Sequence, residues 1–157
     1  VSGVTGAAHC WNEFTVGGKI PGTVRWFDSI GMRPGRLNAY LAATSEVGAG
    51  LLLAVGLLSS FAAAGIIGVM TVAWWTTHRS NGFMILKEGW EYVFVLAAMS
   101  LVAAMLGPGS WSVDHAMGVA GDLAGTTGLW IALLAGVGGG VAQLLTFYRP
   151  SSVASGD

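Results

Sequence analysis

Four ionisable side chains lie within or beside apolar stretches of this sequence, where a charge is costly. Glu46 lies about nine residues into an apolar run, and His9 lies near the end of the opening one. His78 closes a third run and Glu91 opens a fourth. An ionisable group in the hydrocarbon of a membrane costs about 3 kcal/mol on insertion scales, so such residues mark ligand, ion or proton sites by default.

These two histidines and two glutamates come from four different predicted helices and could face one another in a bundle. Such a pocket suits a quinone head group, a proton relay or a small polar ligand. The alternative is a buried hydrogen-bond network that holds the helices together. Polar neighbours on the same elements could add hydrogen bonds: Asn12, Thr44, Ser45, Asn81 and Tyr92.

The same residue types also bind metals, but their spacing gives little support to a metal site. The Glu-x-x-His pattern of membrane di-iron sites is absent, and the nearest pattern is Glu88-x-x-Glu91. Two histidines on separate helices could ligate haem, yet nothing else in the sequence supports it. We therefore predict no bound metal. Cys10 is interpreted as a structural cysteine, because it and His9 are helix neighbours that point about 100° apart.

Composition places these residues in a membrane. Of the 157 residues, 54% are apolar and only 10% are charged, whereas soluble domains carry about 25% charged residues. A lipid-facing surface needs no charges, and in lipid the backbone polar groups must be satisfied within helices or closed barrels. The sequence thus excludes a soluble globular domain and predicts an all-α polytopic membrane helical bundle. The net charge of -1 gives no reason to expect nucleic acid as a partner.

Five apolar stretches define the predicted spans. The opening residues 1–14 would reach only about 21 Å as a helix and are interpreted as the end of a truncated first span. The other spans are residues 37–58, 61–77, 90–106 and 128–148. We predict one transmembrane domain over residues 1–148, with a four-helix core plus a fifth C-terminal helix, and a polar tail over residues 149–157.

The connections between these spans separate by charge. Those after the first, third and fifth spans hold every basic residue: Lys19, Arg25, Arg33, Arg36, Arg79, Lys87 and Arg149. By the positive-inside rule these connections are cytoplasmic, which predicts a multi-pass plasma-membrane protein with its basic loops on the cytoplasmic side. Within them, residues 24–30 are predicted to form a short helix at the membrane surface. On the opposite side, residues 110–127 are predicted to form a loop or interfacial segment.

The fifth span carries a ridge of small residues, Ala132, Gly136 and Gly140. Such a ridge lets two helices approach closely. It could pack against the bundle itself, or it could dock a partner subunit or a second copy of the chain.

An ordered set of motifs resembles the DoxX-type membrane proteins, and in particular their actinobacterial or mycobacterial-like members. The set comprises AAHCWNEF with GGKIPGTVRWFDSIGM, TSEVGAGLLLAVGLL, AAAGIIGVMTVAWWTTHRSNGF and GWEYVFVLAAMSLVAAMLGPGSWSVD, and it spans roughly residues 7–118. The resemblance implies a four-helix membrane bundle, which the fifth span extends. It also implies that polar positions of the family pattern fall on five residues: His9, Glu46, His78, Asn81 and Glu91.

Some relatives of this kind are small subunits of thiosulfate:quinone oxidoreductase, and others are linked to oxidative-stress assemblies. The resemblance therefore implies a small membrane subunit of a quinone-linked redox or respiratory assembly, with other membrane subunits as partners and quinone as the candidate cofactor. No complete catalytic set is present in the chain itself. The alternatives are a structural accessory subunit without chemistry of its own, a homo-oligomer, or a small transporter with Glu46 as its coupling acid.

Overall fold

The computed structural model describes residues 19–150, with side chains described from position 21 onwards. The predicted first span, with His9 and Cys10, and the end of the polar tail lie outside the described residues. The described elements are α1 (Lys19–Ser29), α2 (Gly35–Val55), α3 (Ser59–Ala73), α4 (Glu91–Leu106), α5 (Val113–Ala116) and α6 (Gly125–Phe147). A π-helical turn, Trp74–His78, continues α3, and a short 3-10 turn, Ile85–Lys87, precedes α4. The protein is an all-α membrane bundle, as predicted.

Three of these helices are long and apolar enough to cross a membrane: Gly35–Val55, Ser59–His78 and Gly125–Phe147. Helix α4 is shorter, with 16 residues, and reaches about 24 Å at 1.5 Å per residue. A typical hydrocarbon core is about 30 Å thick, so α4 spans it only if the bilayer thins or flanking residues extend toward the interface.

Helix α3 is the central element, and it packs against α2, α4 and α6. The contacts between α3 and α6 advance in the same direction along both helices, because Gly136 lies against Ala64 and Ile67 and Gly140 lies against Gly68. Helices α3 and α6 are therefore parallel. Small side chains make the close approach possible, and those of Ala63, Ala104 and Ala132 are fully buried between α3, α4 and α6.

One end of the bundle is organised around the Asp114 carboxylate, which is fully buried. Its Oδ1 accepts a hydrogen bond from Leu58 N at 2.8 Å, and its Oδ2 accepts from Ser59 N at 3.1 Å and Ser59 Oγ at 3.0 Å. The first turn of a helix leaves backbone N–H groups without intrahelical partners. Asp114 satisfies two of them from the segment that the sequence predicts as a loop, which lets α3 begin at Ser59.

The opposite end, here called the basic end, joins the α1–α2 connection to the end of α6. Arg33 N donates to Phe147 O at 2.9 Å, and Arg149 N donates to Gly31 O at 2.6 Å. Asp28 at the end of α1 accepts from Gly35 N at 2.7 Å, which caps α2. Because α3 is parallel to α6, the α3–α4 loop is at this end too. These three basic connections, all within the described residues, thus lie together.

Candidate functional site

A cavity of about 550 Å³ lies between α1, α2 and α3. Its described walls combine aromatic rings, apolar side chains and a few polar groups. Among them are Trp26, Phe27, Tyr40, Glu46, Met70, Thr76 and Gln143. Ligand pockets are typically 300–1,000 Å³, largely apolar, with a few polar groups that orient the ligand. This cavity has the size and composition of such a pocket.

The wall contributed by α1 is fixed by one aromatic residue and one carboxylate. Phe27 is buried against the start of α2 and the end of α6, in a cluster with Met32 and Ala39. Trp26 packs edge-on against Phe27, with ring centroids 5.0 Å apart. The neighbouring Asp28 caps α2. Helix α1 is therefore held in place although it is only 11 residues long.

Glu46 is the predicted site residue that lines this cavity. It is half-buried on α2, and across the α2–α3 interface it lies at the level of Val69, which lines the same cavity. The register follows from the contact of Ala49 with Gly65 in the antiparallel pair. Glu46 thus borders a space large enough for a ligand.

Two polar residues of the site were not selected from the sequence. Gln143, on α6, lines the cavity, and its Nε2 donates to Oδ1 of Asn38 on α2 at 3.1 Å. Asn38 is fully buried, and its Nδ2 donates to Pro34 O at 3.0 Å. The available signal was the presence of two amides inside apolar runs, because uncharged polar groups in a membrane also need partners.

The structure places His78, Asn81 and Glu91 together in the α3–α4 loop. The carbonyl oxygen of Glu88 lies 2.6 Å from His78 Nδ1 and 3.3 Å from Asn81 Nδ2. Glu91 Oε2 accepts from Ile85 N at 3.1 Å. A carbonyl oxygen can only accept, so His78 Nδ1 is the donor of this hydrogen bond. All three side chains hold the backbone of this loop.

These loop residues and Glu46 form two separate groups. Val69 lies at the level of Glu46, and His78 follows it by nine residues along the helix, so about 13 Å separates the two levels. His78, Asn81 and Glu91 are not among the described residues that line the cavity. The sequence predicts one shared pocket, and His9, which would complete it, lies outside the described residues.

The π-helical turn at the end of α3 shapes the loop as well. It contains Trp74 and Trp75, and Arg79 N closes it on Trp74 O at 2.9 Å. The guanidinium of Arg79 lies 4.1 Å from the centroid of the Trp75 ring, a cation–π contact. This contact ties the first residue of the loop to the π-helical turn.

The small-residue ridge of α6 faces α3. Ala132, Gly136 and Gly140 are all buried, and a Cβ at Gly136 would lie 2.8 Å from Cβ of Ile67. This side of α6 is thus occupied by the chain's own bundle. Among the residues that the structure describes, no three His, Cys, Asp or Glu side chains are grouped as a metal site would require.

Comparison with known proteins places the site in a wider context. A family model described as DoxX matches residues 1–79, just over half of the 157 residues. The match contains α1, α2 and α3 and ends at Arg79, whereas the resemblance in the sequence extends to about residue 118. Asn81, Glu91 and Gln143 lie beyond the matched segment.

One curated relative is an uncharacterized protein from Haemophilus influenzae. It is 26% identical over 112 residues, which cover 66% of this chain and 74% of the relative. No solved structure matches the chain. The family match spans half of the chain and includes most of the described cavity walls, so the protein belongs to the DoxX family.

Proposed function

We propose that the protein is a small membrane subunit of a quinone-linked redox assembly and that its cavity holds the quinone head group. The observation that supports this proposal is the cavity of about 550 Å³, in which an intramembrane carboxylate, Glu46, lies among aromatic and apolar walls. Ionisable residues within spans mark substrate or proton pathways by default.

The walls suit a ligand with a flat polar head and an apolar body. The rings of Trp26, Phe27 and Tyr40 offer surfaces for stacking, while Val69 and Met70 offer an apolar lining. Glu46 and Gln143 supply hydrogen-bonding groups for the oxygen atoms of the head. A quinone combines these features, and it reaches such a site from the bilayer in which it dissolves.

In this proposal Glu46 exchanges protons with the head group, because quinone reduction takes up two protons and two electrons. Partner subunits supply the electrons. His78, Asn81 and Glu91 act indirectly: they hold the α3–α4 loop at the basic end, where a partner subunit would meet the protein. The positive-inside rule makes this end cytoplasmic.

The first test substitutes Glu46→Gln in the native membrane and compares quinone-linked turnover with the amount of assembled complex. The neutral amide keeps the shape of the side chain and removes its proton exchange, so we expect turnover to fall by about a hundredfold or more with normal assembly, in the range typical of a general acid or base. Glu88→Gln is the matched control, because it makes the same chemical change on an exposed loop residue.

Gentle extraction followed by mass spectrometry of the co-purifying proteins tests the subunit role. Oxidase, dehydrogenase or quinone-reducing subunits should accompany the chain. Extraction as a lone monomer or homodimer, or unchanged turnover of Glu46→Gln in an intact complex, would contradict the proposal and favour a free-standing binding or transport role.

The structural accessory role is the second candidate. For this role the sequence predicts the ridge of α6 as a docking surface, but Gly136 and Gly140 lie against α3. An accessory partner would have to dock on another face, so the cavity offers the stronger basis for a function.

A further inference from the structure

A chain of hydrogen bonds fixes the orientation of the Gln143 side chain. Asn38 Nδ2 donates to Pro34 O at 3.0 Å, and a backbone carbonyl can only accept. The amide oxygen of Asn38 must therefore point the other way, toward Gln143. Gln143 Nε2 donates to that oxygen at 3.1 Å. Asn38 is fully buried, and its amide cannot turn over without breaking both bonds, whereas turning over the Gln143 amide would face its Oε1 to the Asn38 oxygen and break the bond between them.

This arrangement leaves the carbonyl end of Gln143 for the cavity. One N–H of Nε2 is used by Asn38, and Gln143 lines the cavity, so Oε1 is the hydrogen-bond acceptor that Gln143 offers to a ligand there. No buried side-chain nitrogen or oxygen among the described residues lacks a hydrogen-bond partner. Oε1, which accepts no hydrogen bond from the described residues, is therefore not sealed inside the protein.

Gln143 also differs in origin from the rest of the cavity. The other described lining residues fall between positions 22 and 76, inside the segment matched by the family model. Gln143 comes from α6, beyond that segment. The C-terminal helix thus adds one oriented polar group to a cavity that the matched segment otherwise builds.

We propose that Gln143 is a ligand-binding residue whose Oε1 accepts a hydrogen bond from a hydroxyl group of the head group, with Asn38 as its positioning residue. The inference rests on the proposed quinone site and specifies its chemistry. A quinone head carries carbonyl acceptors, whereas a hydroquinone carries hydroxyl donors. An acceptor at Gln143 Oε1 therefore stabilises the hydroquinone form of the ligand more than the quinone form.

The test uses the full chain in detergent and the matched probes menadiol and menadione, under anaerobic conditions, with equilibrium binding as the readout. Gln143→Met keeps the length of the side chain and removes its oxygen. We expect menadiol affinity to fall about three- to tenfold, the equivalent of one hydrogen bond, and menadione affinity to fall by less. Gln143→Ala is the second variant if the thioether disturbs folding.

Asn38→Ala tests the positioning role. It should narrow the ratio of menadiol to menadione affinity while the Gln143 side chain remains, which a purely structural role would not do. Thr146→Val is the control, because it removes a hydroxyl group from an exposed position of the same helix. It should leave both affinities unchanged.

The outcomes separate this inference from the proposed function. If the unmodified chain binds the probes and Gln143→Met binds menadiol equally well, or loses menadione affinity as much as menadiol affinity, the role of Gln143 is wrong and the cavity proposal stands. If the unmodified chain binds neither probe, the quinone site itself is overturned, and this inference with it.

Discussion

Most polar side chains inside this bundle serve the protein's own backbone. Asp114 caps α3, Asp28 caps α2, and His78 and Asn81 hold one loop carbonyl. Hydroxyl groups such as that of Ser100 return to the carbonyl four residues earlier, as is usual for helices in an apolar medium. Glu46 and Gln143 differ from these residues because both line the cavity, so a search for chemistry begins with them.

Asp114 is the residue whose removal should most weaken the fold. Asp114→Ala leaves the N–H groups of Leu58 and Ser59 without their acceptor in a buried place, and a buried unsatisfied group costs about 1–3 kcal/mol. We expect the free energy of unfolding in detergent to fall by about 2–4 kcal/mol. Asp114→Asn, which keeps one acceptor oxygen, should lose about half as much.

Asp122→Ala provides the control for this prediction. Asp122 is an exposed carboxylate in the same segment, so its loss should change the unfolding free energy by no more than about 0.5 kcal/mol. Equal stability of Asp114→Ala and the unmodified chain would mean that the cap contributes nothing.

The sequence identifies which residues are unusual but not what they contact. Burial cost alone selects Glu46 and His78, yet one lines a cavity and the other supports a loop. The distinction depends on pairings between distant positions: Asp114 reaches Ser59 across 55 residues, and Gln143 reaches Asn38 across 105. Periodicity and composition carry no information about such pairings, so these residues could not be assigned in advance.

At the scale of the helices, prediction is more successful. The four described apolar helices, with α3 followed to the end of its π-helical turn at His78, begin and end within about three residues of the predicted bounds, because hydrocarbon thickness fixes the length of an apolar run. The main difference is at Ser59 and Ser60, which lie between the predicted spans 37–58 and 61–77. They begin α3 instead, since Asp114 and the Leu123 carbonyl satisfy their polar groups.

The contact between α3 and α6 depends on glycine at specific positions. A Cβ at Gly136 would lie 2.8 Å from Ile67 Cβ and 2.9 Å from Ala64 O, which forces the helices apart. Gly136→Ala should therefore lower the free energy of unfolding by about 1–3 kcal/mol. Chemical unfolding in detergent, followed by circular dichroism, measures the change.

Gly139 offers a matched comparison on the same helix. A Cβ there meets nothing within 4 Å, and alanine is the better helix former by about 1 kcal/mol. Gly139→Ala should therefore leave stability unchanged or raise it. If both substitutions destabilise the protein equally, close packing is not the reason for glycine on α6.

At the scale of the whole molecule, the two ends differ in charge. The basic end contains the Lys and Arg residues of the α1–α2 connection, the α3–α4 loop and the end of α6, while the opposite end, from residue 107 to residue 124, contains Asp114 and Asp122. The fold brings the basic connections together: Arg33 N donates to Phe147 O, and Arg149 N donates to Gly31 O. These two hydrogen bonds join the α1–α2 connection to the end of α6. A charge asymmetry of this kind orients a protein in the membrane.

The orientation can be tested with single cysteines at the two ends in a Cys10→Ser background. Leu86 lies in the α3–α4 loop at the basic end and is 89% exposed, and Ser110 is exposed at the other end. Neither substitution alters a charge, so neither changes the signal that orients the chain. We expect a membrane-impermeant maleimide to label Ser110→Cys in intact cells and Leu86→Cys only after permeabilisation. The reverse pattern would place the basic end outside the cytoplasm, and any partner of that end would then have to be sought on the outer side of the membrane.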